Sequence, residues 1–151
     1  MTRLKTPARG TPPRTQESFL DLLGIGKGLF AKVVREIQAG LPFQTLEHFQ
    51  QKTALSTQEV CDVVQIPART LHRRKLEGQL QPDESDRLAR AARVFALALA
   101  LFEGDRDSTH RWLTTPQRAL GGATPLKVAN TDVGVKEIEN LILRTEHGVF
   151  S

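Results

Sequence analysis

The chain has 151 residues, 39% of them hydrophobic, with one cysteine and a net charge of +4; this is enough apolar material for one buried core and too few thiols for a disulfide framework. Four cations, Arg3, Lys5, Arg9 and Arg14, fall in a stretch that holds no acid, so the rest of the chain is neutral. No apolar run follows these basic residues, which argues against a signal peptide and for a soluble, cytoplasmic protein of a reducing compartment, with no membrane partner.

Residues 1–15 carry three prolines and almost nothing apolar, and a disordered tail is expected there. Such a tail is either simply solvated or an arm laid on nucleic-acid phosphate. The apolar run Ser18–Leu23 leads into Gly24-Ile25-Gly26-Lys27-Gly28. A phosphate-loop reading fails here, because no strand precedes the glycines, their spacing is wrong, and Gly28 stands where Ser or Thr would have to bind a metal ion. The stretch reads as a flexible turn. Leu29, Val33 and Ile37 then recur at four-residue steps along a helix closed by Gly40. Leu41-Pro42 opens another, on which Phe43, Leu46 and Phe49 share a face.

Residues 56–77 have the pattern of a helix-turn-helix inside a DNA-binding domain expected over 16–82. Ser56 with Glu59 three residues on forms a capping box that starts a short helix ending near Val64. Gln65-Ile66 makes the turn, and Pro67 is expected at the first position of the second helix. Val60, Val64, Ile66 and Leu71 would lock the pair, with Cys61 as a small packing residue. Gln65 occupies the position where Gly commonly takes the left-handed conformation, which Gln reaches at modest cost. The second helix carries Arg69, Thr70, His72, Arg73, Arg74 and Lys75 before its first acid, Glu77. In a recognition helix the first turns meet base edges and flanking cations meet phosphates. All six residues are therefore candidate DNA contacts, against the alternative of a solvated charged face.

Residues 83–103 form the segment around which the rest is arranged. Ser85–Glu103 is rich in Ala, Leu and Arg without Gly or Pro, and Val94–Phe102 has no polar residue, so a long buried helix is expected. Its apolar surface exceeds what one short chain readily covers, and Val94, Leu97 and Leu101 are candidates for a dimer core. Gly104 ends the helix. Residues 104–151 then form a small helical unit. Asp107-Ser108 is expected to cap a helix to Thr114 carrying Trp112 and Leu113, and Pro116 follows. Beyond the double glycine at 121–122, Thr124 is an N-cap with Pro125 as first residue. Asn130-Thr131 caps a final helix from Val133 to His147 that lines up Val135, Ile138, Leu141 and Ile142. Gly148 suits a left-handed C-cap and His147 the negative helix end. Val149 and Phe150 are apolar residues beside Ser151: either Phe150 folds back on Leu141 or Leu143, or it is an anchor for a partner's pocket.

Trp112-Leu113 with Pro116, Leu120-Gly121-Gly122, Thr124-Pro125-Leu126, Thr131 with Gly134, and His147-Gly148-Val149-Phe150 together resemble the C-terminal toxin-binding domain of Xre/MbcA/ParS-type antitoxins. Arg69-Thr70-Leu71, Arg73-Arg74-Lys75, Glu84-Ser85 and Arg87-Leu88 resemble the DNA-reading half of the same family. The resemblance covers most of residues 55–151 and not the basic tail. It implies an all-α antitoxin in which the helix-turn-helix domain is joined by a long buried helix to a small helical toxin-binding domain. It further implies a homodimer that represses its own operon at operator DNA and neutralises a RES-domain toxin that destroys NAD, with no cofactor of its own. On that reading the toxin-binding residues are Leu141, Arg144, His147, Gly148, Val149, Phe150 and Ser151. Phe150 would fill an apolar wall of the toxin's NAD cleft, while Arg144 and Ser151 make polar contacts and Leu141 supports them.

An enzyme is not expected. The histidines at 48, 72, 110 and 147 lack metal-ligand spacing, and no Ser, Cys or Asp sits in a nucleophile motif. The remaining rival is a ligand-regulated repressor that uses the same DNA helix without a toxin partner.

Overall fold

The computed structural model describes residues 20–25 and 30–146, and these are helical throughout apart from turns. The helices are α1 (Phe30–Ala39), α2 (Phe43–Thr53), α3 (Thr57–Val64), α4 (Ala68–Glu77), α5 (Pro82–Leu101), α6 (Arg106–Leu113), α7 (Pro125–Val128) and α8 (Asp132–Glu146), with a short 3-10 turn at Arg118–Leu120. Residues 20–23 are also helical. The basic tail, the glycines at 26 and 28, Leu29, and His147 to Ser151 lie outside the described residues.

The expected central helix is α5, and α1, α2, α3, α6 and α8 all pack on it. Leu88, Ala92, Phe95 and Ala98 are at most 1% exposed, and Phe95 meets Phe49 of α2 edge-on at 6.4 Å. The small residues Ala91, Ala92 and Ala98 let neighbouring helices approach closely, while Phe95 and Leu88 fill the spaces between them. Burial is incomplete at the C-terminal end. Leu97, Leu99 and Leu101 are only half-buried and Ala100 is exposed, so part of the apolar end of α5 is left uncovered within one chain.

Caps follow local chemistry. The Ser56–Glu59 box is formed in both directions, with Ser56 Oγ accepting from the Glu59 amide at 3.1 Å and Glu59 Oε1 from the Ser56 amide at 2.9 Å. Thr124 caps α7 with Pro125 in its first turn, and Thr131 Oγ1 accepts from the Gly134 amide at 2.9 Å. Three boundaries differ from expectation. The first is the end of α5, which stops at Leu101, with Phe102 as its C-cap and Glu103 at φ 53°, before Gly104 is reached. Asp105, not Asp107, caps α6, because its carboxylate reaches the amides of both Asp107 and Ser108. Pro67 is the N-cap of α4 and Ala68 its first residue, since Pro67 keeps an extended ψ of 158°.

Gly134 is required by packing. A Cβ there would lie 1.7 Å from the Val128 carbonyl oxygen, so α8 can meet the end of α7 only with glycine at this position.

Candidate nucleic-acid and partner interfaces

Helices α3 and α4 meet through a turn in which Gln65 holds the left-handed conformation, at φ 56° and ψ 48°. Val60 and Val64 are fully buried, Leu71 is 8% exposed, and Cys61 is packed among them, where burial raises its thiol pKa. This is a helix-turn-helix, with α4 in the recognition position.

The six candidate DNA contacts on α4 are not equivalent. Arg69, His72, Arg73 and Lys75 are exposed, and Thr70 is half-buried at the edge of the outward face. Lys75 also comes within 3.9 Å of Glu47 on α2, a solvated pair that leaves its charge available to a phosphate. Arg74 is the correction. Its Nε and Nη2 donate to the two carboxylate oxygens of Glu84 on α5, at 2.8 and 2.9 Å, and its Nη1 donates to Glu77 at 3.1 Å. The Arg74 side chain is 11% exposed and that of Glu84 4%. The hydrogen bonds to Glu84 outweigh the desolvation that burial imposes and raise the guanidinium pKa. Arg74 therefore faces inward and fastens the recognition helix to the long helix.

Glu84 belongs to the sequence motif that resembles the DNA-reading half of the family, but its role as the partner of Arg74 carries no local sequence signal. It accepts the Gln81 amide at 2.9 Å as well as the Arg74 fork, so one buried carboxylate closes the start of α5 and fixes α4. The chain between these helices is held by main-chain bonds: Phe43 N donates to Gly78 O at 3.0 Å, and Leu80 N to Leu41 O at 2.9 Å. Ser85 Oγ, buried beneath, accepts from Leu41 N at 2.8 Å. Arg87 donates to the Val64 carbonyl at the helix-turn-helix turn and to Asp83 at 2.8 Å. The helix in the recognition position is thus fastened to its neighbours by hydrogen bonds from both ends.

The C-terminal unit is attached to the same helix by further arginines. Arg90 meets Asp132 at 3.0 Å and donates to the Asn130 carbonyl at 3.0 Å, and Arg93 meets Glu139 at 2.7 Å. His110 of α6 donates through Nε2 to Glu59 of α3, at 3.0 and 3.2 Å. Burial works to raise the Glu59 carboxyl pKa, but the Ser56 amide and His110 outweigh it and hold it below the ordinary value.

On α8, Val135, Ile138 and Ile142 face the core, Leu141 is half-buried, and Arg144 is exposed. Val133 and Leu143 are 75% and 50% exposed, single apolar residues on a mainly polar outer face. Of the dimer candidates, Val94 is corrected: it is 1% exposed within its own chain and cannot touch a second copy. Leu97 and Leu101 keep surface on the half-covered end of α5, beside Phe102 and Trp112, whose rings meet at 6.2 Å. Among the described residues no group of His, Cys, Asp and Glu could hold a metal ion, and no helix is long and apolar enough to cross a membrane.

Residues 32–93 match the family described as the antitoxin Xre-like helix-turn-helix domain, and residues 97–148 the antitoxin Xre/MbcA/ParS C-terminal toxin-binding domain. A protein named Antitoxin Xre from Yersinia enterocolitica is 32% identical over 142 residues, covering 93% of this chain and 96% of the relative. One of the same name from Photorhabdus laumondii is 34% identical over 116 residues, covering 76% and 78%. A third, from Pseudomonas putida, is 39% identical over 84 residues, covering 55% and 52%.

Proposed function

Because this chain belongs to the Xre antitoxin family, we propose that it neutralises a RES-domain toxin that degrades NAD, and that as a homodimer it represses its own operon through α4. The observation that carries the reading is the union, in one chain, of a helix-turn-helix with exposed Arg69, His72 and Arg73 and a C-terminal unit matching a toxin-binding domain.

The dimer reading is supported by the half-covered end of α5. A single recognition helix makes few contacts, and two copies related by a two-fold axis would present paired helices to paired half-sites. Leu97 and Leu101 are among the residues at this end of α5 that a second copy would cover. Neutralisation is assigned to the exposed end of α8 and the segment after it, with Leu141, Arg144 and His147 to Ser151 obstructing the toxin's NAD cleft. Phe150 is the apolar anchor of that contact. The reading as a ligand-regulated repressor is disfavoured, because residues 97–148 match a toxin-binding family.

Deletion of Val149–Ser151 tests the occlusion. The truncated protein is expected to fold and bind DNA normally while it no longer protects cells from the toxin. A truncated protein that still protects would place neutralisation elsewhere on the domain.

A further inference from the structure

Leu76 is 76% exposed, the most exposed of the large hydrophobic side chains in the described residues, and it lies on the recognition helix itself. Residues 69, 72, 73 and 76 follow the spacing i, i+3, i+4, i+7 and so share one face of α4, opposite buried Leu71 and the inward fork of Arg74. That face bears Arg69, His72 and Arg73, with Leu76 on its midline. The same spacing carries the base-reading residues of homeodomain recognition helices. Arg69 and Leu76 are about 10 Å apart along the axis, roughly three base-pair steps.

We propose that Leu76 is a specificity-determining residue of the DNA interface that packs against the C5-methyl group of a thymine in the major groove. The inference rests on the DNA-binding reading above and goes beyond it by assigning a base. The cations around Leu76 select the occupant: an apolar protein groove would have to desolvate Arg69 and Arg73, whereas a duplex offers phosphates and guanine edges to them and a methyl group to Leu76. The polar residues of the stripe can read donors and acceptors, but only an apolar side chain gains from the thymine methyl.

The test uses the full chain and a duplex that it selects from a random pool. Each thymine of that duplex is replaced in turn by deoxyuridine, which removes only the methyl group, and binding is measured by fluorescence anisotropy. For the wild type, one thymine position should lose about fourfold in affinity, the value of one buried methyl. Leu76→Ala, with an unchanged melting temperature, should be indifferent to uracil at that position. If the wild type selects a sequence yet is indifferent to uracil everywhere, the inference is wrong and Leu76 belongs to another contact. If it selects no sequence at all, the DNA-binding reading fails and the inference with it.

Discussion

Replacing Arg74 and Arg73 one at a time separates two roles that look alike along a charged helix. Arg74→Ala removes both arms of the fork on Glu84, leaving a 4% exposed carboxylate with only the Gln81 amide. Breaking a buried pair from one side costs about 3–5 kcal/mol. Taking the lower end, because Arg74 keeps some solvent contact, the loss is about 3 kcal/mol, or a fall in melting temperature of about 6–12 °C for a chain of this length. Arg73 is exposed, and its replacement should change stability by no more than about 0.5 kcal/mol. DNA binding should show the opposite pattern. In anisotropy titrations across a salt series, Arg73→Ala lowers the log–log slope by about 0.9 for the lost phosphate contact, and Arg74→Ala leaves the slope unchanged. Glu84→Gln should reproduce the melting loss. The reasoning is refuted if Arg74→Ala melts like the wild type and lowers the slope as Arg73→Ala does.

Three further predictions follow from single contacts. Gly134→Ala puts a methyl group 1.7 Å from the Val128 carbonyl oxygen and should cost about 3 kcal/mol in denaturant unfolding, with α8 displaced. Glu59 has a lowered folded pKa, so its contribution to stability is complete above the ordinary glutamate value of 4.5 and is lost as the pH falls through the depressed value. Glu59→Gln, which keeps the capping box but not the charge, should therefore flatten the stability curve below about pH 5, and its thermal melts across that range should diverge least from wild type in acid. Light scattering at micromolar concentration should give a dimeric mass for the wild type, and Leu101→Asp should aggregate or unfold; a wild type that is monomeric there contradicts the proposed dimer.

Local signals in the sequence carried through to the fold where the cause was local. The Ser56–Glu59 box, the Thr124-Pro125 start and the left-handed Gln65 turn depend on residues within one helical turn, and each stands where its chemistry places it. Arg74 reads as one more DNA contact in the sequence because its partner lies ten residues away across a turn, and a charge run does not say which of its members points inward. Val94 and Leu97 are equally apolar in sequence, and only the packing of neighbouring helices makes one core and the other surface. Asp105 and Asp107 are both good caps two residues apart, and the choice between them falls to the path of the turn leaving α5. Leu76 gave no signal because an apolar residue at the end of an amphipathic helix reads as core until its exposure is known.

The most direct measurement of the central claim is NAD turnover by the purified cognate toxin as this protein is titrated in. Turnover should fall linearly and stop at a fixed stoichiometric ratio, as expected of an occluded cleft, and the chain lacking Val149–Ser151 should leave it running. NAD turnover that continues unchanged with the full chain in excess would contradict the account.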